Sequence, residues 1–290
     1  VLRCSSTVSP GLVPVGTKPF MQKGYNFMVL DPSVGYKEEE AAQADKKAIS
    51  ANNGSSNNIY DLLLQSAHLH FEKLVRDYVS VNPTGVMLDF GCGTGSRTVH
   101  LIPSGWSLIG IDISKESINI AQSQGAAITQ ATEYLVMDGE AMSFSKNKFD
   151  LIVDYGSFSS LKMDLAIPEM VRVLKPGGSL IAIETLGHNL LFNCKRKWNV
   201  LRGNRTTWAA DHIMKKAEWR KLSAHFETVH IDYFGLTGLI LVPLIRFLPH
   251  KIKIISAKIF STIDQQLFKV QMLKPLAFKT VVQLTGLRQS

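Results

Sequence analysis

The chain has 290 residues, 45% apolar and 19% charged, which allows a substantial core and excludes a disordered polyelectrolyte. Its three scattered cysteines, Cys4, Cys92 and Cys194, form no CxxC pair, which excludes a disulfide framework and suits a reducing, cytoplasmic setting. The net charge of +8 is uneven: residues 1–187 hold 15 Lys and Arg against 19 acids, and residues 188–290 hold 17 against 5, so the second part is expected to meet an anionic partner or surface.

Residues 1–58, with the charge run "EEEAAQADKK" and the polar "SANNGSSNN", are expected to be a flexible N-terminal segment. It starts without Met, part of it is expected to be vector-derived, and its opening has no apolar stretch of signal-peptide length. From Ile59 the spacing of Tyr60, Leu63, Leu64, Ala67, Phe71, Leu74 and Val75 predicts one helix leading into a core over 59–187. "GVMLDF" reads as a strand whose glycine turn opens a helix through His100 and Leu101. "SLIGIDI", a helix from Ser114 to Gly125, "ATEYLVMD", "FDLIVDYGSF", the helix "MDLAIPEMVRVL" and, after a "KPGG" turn, "SLIAIET" complete five strands alternating with helices. That alternation predicts an α/β fold, a Rossmann-like doubly wound, mostly parallel sheet with helices on both faces. Residues 188–232 read as a substrate-cap insertion followed by the last core strand, "ETVHIDYFG". Residues 233–290 read as an amphipathic helical region contributing to the cap. Its most apolar stretch, "YFGLTGLILVPLIRFLP", contains Pro243 and Arg246 and is short of the ~20 residues a bilayer span needs.

The turn "LDFGCGTGS" places glycines at 91, 93 and 95. Their spacing matches neither G-x-G-x-x-G nor the Walker pattern, which leaves a bare tight turn or a pocket for another nucleotide. Asp89, Asp112 and Asp138 end three successive strands. Three carboxylates repel a pyrophosphate and suit a cationic nucleoside: Asp112 can accept from both ribose hydroxyls, Asp138 can meet an adenine edge, and Asp89 can hold an ammonium.

"LDFGCGTG", "GIDIS", "MDGEAMSF", "FDLIVDYGSF" and "EMVRVLKPGGSLIAIE" together resemble the class I S-adenosylmethionine-dependent methyltransferases, in their small-molecule (type 11) branch. The resemblance covers about a hundred residues and implies S-adenosyl-L-methionine as cofactor and S-adenosyl-L-homocysteine as product. It implies cofactor contacts at Asp89, Gly91, Cys92, Gly93, Gly95, Asp112, Ile113, Asp138, Gly139, Glu140 and Tyr155, with Tyr60 closing over the cofactor. Where many relatives carry a histidine pair, this chain has Ser159 and Ser160. A base is therefore sought elsewhere. His188 and His212 rank first, in segments that resemble a post-core insertion of some relatives, with Tyr155 third; Asn189, Arg196 and Arg205 are the expected substrate contacts. Surface or capping histidines and solvated arginines are the plain alternatives.

The expected acceptor is a small, lipophilic metabolite, methylated at oxygen in preference to nitrogen or carbon, as in natural-product biosynthesis. A nucleic-acid methyltransferase fits the basic tail but lacks the N/D-P-P-aromatic element, so no nucleic acid is expected. A scaffold or cyclase that has lost methyl transfer is the other alternative. No metal-ligand spacing is present. The tail is expected to form a substrate tunnel, a peripheral membrane contact or a plain cap.

Overall fold

The structure is a computed structural model and describes residues 35–52, 59–125, 131–245 and 247–288. Helix α1 (Tyr36–Asn52) precedes α2 (Ile59–Leu63) and α3 (Gln65–Val81). Strands β1 (Gly85–Phe90) and β2 (Trp106–Asp112), helix α4 (Lys115–Gly125), and strands β3 (Thr132–Val136) and β4 (Phe149–Asp154) follow. Helix α5 (Met163–Val173) runs directly into β5 (Leu174–Thr185). Beyond it come α6 (Leu190–Leu201), α7 (Thr207–Asp211), α8 (Lys216–Ser223), β6 (Phe226–Phe234), α9 (Thr237–Ile240), α10 (Val242–Ile245), α11 (His250–Leu267) and β7 (Lys279–Leu287).

All seven strands form one sheet in the order β3-β2-β1-β4-β5-β7-β6. The first five pair in parallel, and β7 inserts antiparallel between β5 and β6. Central strands such as β1 and β4 are buried on both faces, which explains their unbroken apolar runs. On one face Ala67, Phe71, Val75 and Val79 of α3 recur every fourth residue and pack with Ile118 and Ala121 of α4. Burying Phe71 and Val75 contributes about 1.5–3 kcal/mol each. The other face is covered by Met163, Ala166, Ile167 and Met170 of α5 and Trp219 and Leu222 of α8. A third cluster joins Leu63, Leu64, Phe192, Leu239, Val242, Ile245 and Ala257, packing α2, α6 and α9–α11 together.

The Rossmann-like sheet agrees with the sequence reading; four local expectations change. Residues 36–52 form a helix packed against α4 in place of a flexible stretch, while residues 1–34 and 53–58 lie outside the described residues. The glycine turn opens only a short 3-10 turn, Val99–Leu101, because Pro103 disfavours helix at the residue before it. The helix from Ile59 breaks at Leu64, separating α2 from α3. The C-terminal region is not wholly helical: β7 carries the sheet to Leu287, past the expected last core strand. Among the described residues, no helix is long and apolar enough to cross a membrane.

Candidate active site

The strand order reverses between β1 and β4, so the crevice beyond their C-terminal ends is the expected ligand position. A cleft of about 680 Å3, counting its open mouth, lies there; its walls include Gly91, Asp112, Asp138, Glu140, Ser157 and Ser160. Ile113 and Gly139 also line it. The glycines of the first turn have φ of 66°, 53° and 73° at positions 91, 93 and 95, a region costly for side chains. A Cβ on Gly91 would lie 2.3 Å from Cβ of Ser157, and one on Gly95 would lie 2.6 Å from the Tyr134 hydroxyl. A Cβ on Gly93 would meet nothing within 4 Å, so that glycine faces open room above the turn.

The carboxylate of Asp112 shapes this turn. It accepts from the Gly93 amide at 2.9 Å and the Ser114 amide at 2.8 Å, fixing the ends of two loops at once. Asp89 is buried directly below, with Oδ2 accepting from Thr98 Oγ1 and Oδ1 without a hydrogen-bond partner. Burial, more than the nearby Asp112 charge, pushes its carboxyl up to about 7. Cys92 is buried in the same layer and its thiol is pushed up by desolvation. It makes no wall of the cleft.

Helix α1 roofs the cleft, a role the sequence reading missed. Tyr36, Lys37, Glu40, Ala44 and Lys47 line it. Lys37 Nζ pairs with Asp138 and, at 2.9 Å, with Glu140; Tyr36 donates to Glu140, Ser114 to Asp45, and Thr206 to Glu40. The Tyr36 ring stacks on Trp208 at 4.0 Å, and the other stacking contact of Trp208 is His212 at 3.6 Å. Mean hydropathy could not reveal this helix, because it docks through polar groups and one tyrosine.

The end of β4 carries a second constellation. Asp154 and Glu184, on adjacent strands, are fully buried, and desolvation raises both carboxyls; each carboxylate also raises or steadies the other. Asp154 accepts from the Gly156 and Ser157 amides at 3.1 and 3.0 Å, and Glu184 from Phe158 at 2.6 Å, folding the chain back after β4. The Tyr155 ring is met edge-on by His68 and Phe71, each at 5.4 Å. Arg97 lies 5.0 Å and Lys279 Nζ 6.0 Å from the same ring's centre. Burial pushes the Lys279 ammonium down, while the nearby Glu184 and Asp154 carboxylates hold it up. Burial, followed by these two cations, drops the His68 imidazole to about 4, and its buried Nε2 has no hydrogen-bond partner. Burial lifts the Tyr155 phenol to about 12, and Tyr155 does not line the cleft.

The other expected contacts lie elsewhere. His188 is exposed beside Lys215, Lys216 and Glu218, and burial with those lysines lowers its imidazole. His212 is exposed, its Nδ1 2.9 Å from the Trp208 carbonyl. Neither lines the cleft. Asn189 donates to the Leu276 carbonyl at 2.7 Å, and Arg196 is spent on Asn193 and, at 2.9 Å, the Leu186 carbonyl. Burial lowers Arg196 to about 10. Arg205 donates to Ser159 Oγ at 3.1 Å and the Ala209 carbonyl at 2.6 Å, leaving its buried Nε unpartnered. Tyr60 packs against the third cluster with Lys195 Nζ 3.2 Å from its ring centre, outside the cleft. Sequence reasoning placed His188 and Asn189 by proximity to β5, Arg196, Arg205 and His212 by resemblance to a post-core insertion, and Tyr60 by its place on the leading helix. The segments that follow β5 turn His188 and His212 to solvent and Asn189 and Arg196 toward backbone carbonyls.

The cleft fits S-adenosylmethionine through Gly91 and the acids at the ends of β2 and β3, which suit a cationic nucleoside; Asp89, Gly93 and Gly95 do not line it, though Gly93 faces open room and Asp89 keeps a buried unpartnered carboxylate oxygen in the layer beneath. Comparison with known proteins agrees. Residues 88–182 match the methyltransferase domain family. The chain is 31% identical over 143 residues to a demethylmenaquinone methyltransferase of Lactiplantibacillus plantarum, covering 47% of this chain and 59% of that protein. It is 27% identical to a ubiquinone/menaquinone biosynthesis C-methyltransferase of Burkholderia mallei, covering 68% of this chain and 84% of the relative. Magnesium protoporphyrin IX methyltransferase from Synechocystis PCC 6803, solved with S-adenosylhomocysteine, shares the fold at a TM-score of 0.57 and 13% identity, covering 88% of this chain and 100% of its own. The motif-bearing strands, the sheet order and the cleft agree with the methyltransferase domain that residues 88–182 match, and the chain spans about three fifths of the first of these relatives.

Proposed function

We propose that the enzyme methylates a small lipophilic metabolite that reacts as an anion, an ionised phenol or enol, at its oxygen or at the carbon conjugated to it. The observation that carries this is the pair of cations, Arg97 and Lys279, set over one Tyr155 ring. S-adenosylmethionine supplies an electrophilic methyl carbon on a sulfonium. Asp112 would hold its ribose, Asp138 and Glu140 its adenine, Asp89 and the glycine turn its methionyl part, with Arg97 beside that turn to meet a carboxylate. Lys279 would face the acceptor.

Displacement at a methyl carbon asks the protein chiefly for proximity and orientation. A hydroxyl acceptor must also lose a proton. His188 and His212 stand outside the cleft and His68 is held neutral, so no histidine base is favoured. The charge of Lys279, pushed down by burial and upheld by Glu184 and Asp154, lowers the acceptor's own pKa instead, and the acceptor's hydroxyl proton leaves to solvent before transfer. Carbon as the acceptor atom is supported by the relative whose name specifies C-methylation, and an ambident anion accommodates either outcome. A lipophilic acceptor partitions into bilayers, which fits a cytoplasmic enzyme working at a membrane surface.

The test uses methyl-labelled cofactor with demethylmenaquinol and a panel of alkylated phenols, the product's methyl position being read by NMR. Lys279→Met is expected to lower kcat/KM for the acceptor by about a hundredfold, to move the acidic limb of the pH–rate profile upward, and to leave the cofactor Kd unchanged. An unshifted profile at wild-type rate overturns the reading.

A further inference from the structure

Helix α11 shows solvent an apolar stripe. Ile252, Ile255, Ile259 and Ile263 recur at helical spacing and are each 40–57% exposed. Leu244 and Phe247, just before the helix, are 70% and 77% exposed. The helix is nevertheless firmly seated. On its opposite side Ala257 is buried in the third cluster, and the buried Asp264 carboxylate accepts from the Leu236 and Thr237 amides at 2.8 and 2.9 Å. The exposed isoleucines are therefore not a helix awaiting a core.

Charge identifies the occupant. Residues 237–288 contain eight Lys and Arg and one acid, which is Asp264, turned inward. The exposed Lys251 and Lys258, seven residues apart, run alongside the isoleucine stripe on the same helix. A second copy would bring like charge to like charge. An apolar stripe bordered by lysines matches the acyl–phosphate boundary of an anionic bilayer, where isoleucines bury and lysine stems extend to phosphates.

We propose that the α9–α11 face docks on an anionic lipid bilayer, with the isoleucine stripe in the acyl boundary and Lys251 and Lys258 at the phosphates. The inference stands apart from the choice of acceptor, because binding is measured with no acceptor present. The full chain is sedimented with vesicles of phosphatidylcholine alone or with phosphatidylglycerol added. Binding is expected only to the mixed vesicles and is expected to weaken in high salt. Ile255→Asp with Ile259→Asp, and separately Lys251→Glu with Lys258→Glu, are each expected to lower partitioning at least about tenfold. Cofactor affinity by calorimetry should stay within about twofold of wild type, which shows the variants folded. Absence of wild-type binding, equal binding by the variants, or a dimer in ultracentrifugation that Ile255→Asp with Ile259→Asp dissolves would each overturn the proposal.

Discussion

Asp89 combines full burial with one carboxylate oxygen that lacks a partner, and its folded pKa of about 7 lies well above the ~3.9 of an unfolded aspartate. Between those values the folded chain keeps a proton that the unfolded chain releases, so the stability this group contributes is full at low pH and declines as pH rises toward 7. Asp89→Asn removes the titration. In thermal melts without cofactor, wild type is expected to lose roughly 2–4 kcal/mol relative to the Asn variant between pH 4 and 8, the two curves converging at the acidic end. Parallel curves would show the carboxylate is already ionised below pH 5. Asp112 works differently, since its two amide acceptances hold the turn in shape and leave the carboxylate at the cleft wall. Asp112→Asn is expected to weaken cofactor binding about 10- to 100-fold by calorimetry, with circular dichroism unchanged; an unaltered Kd removes Asp112 from the ribose site.

At the scale of elements, the motif "EMVRV" has a mechanical reading. Glu169 accepts from the Met142 amide at 2.7 Å, and Arg172 donates to the Met142 and Phe144 carbonyls at 2.7 and 2.6 Å. One turn of α5 thereby grips the loop that presents Asp138, Gly139 and Glu140. Arg172→Leu is expected to cost about 1–3 kcal/mol by denaturant unfolding. Cofactor affinity should fall with it; a loss of stability alone would mean that the loop's position does not depend on the grip. Helix α1 is held by the ion pair of Lys37 and the hydrogen bonds of Tyr36, Glu40 and Asp45. Raising salt to 0.5 M is expected to speed amide exchange over 36–52 about tenfold while leaving α5 protected. Uniform protection would assign its docking to the Tyr36–Trp208 stack instead. These contrasts explain what was legible. Strands β1, β2, β4 and β5 advertise themselves because burial on both faces demands long apolar runs, whereas the edge strand β3 is marked by the acid that follows it. Helix α1 was silent because its partners lie a hundred residues away and are polar. His188 lies just after β5 and so near the edge in sequence, while the structure turns it to solvent outside the cleft.

Across the whole molecule the two ends of the charge asymmetry separate by task. The acidic first part supplies the carboxylates that line the cleft, and the basic second part carries Lys279 and the lysine-bordered face of α11. The seam between the parts is β7. The alternation of apolar and polar residues that marks a surface strand is missing from "KTVVQLTGL", since Val281, Val282 and Leu284 are wholly buried between β5 and β6. That placement orders events during synthesis. The five parallel strands emerge first with the hydrogen-bonding edge of β5 unmet, and β6 follows with no neighbour to join. Both wait for residues 279–287, some fifty positions after β6 begins and nearly a hundred after β5 ends. A nascent chain halted before Lys279 would carry two open strand edges, the condition in which sheets recruit one another. Such a stalled chain should pellet, and a peptide of 279–287 supplied in trans should rescue its solubility.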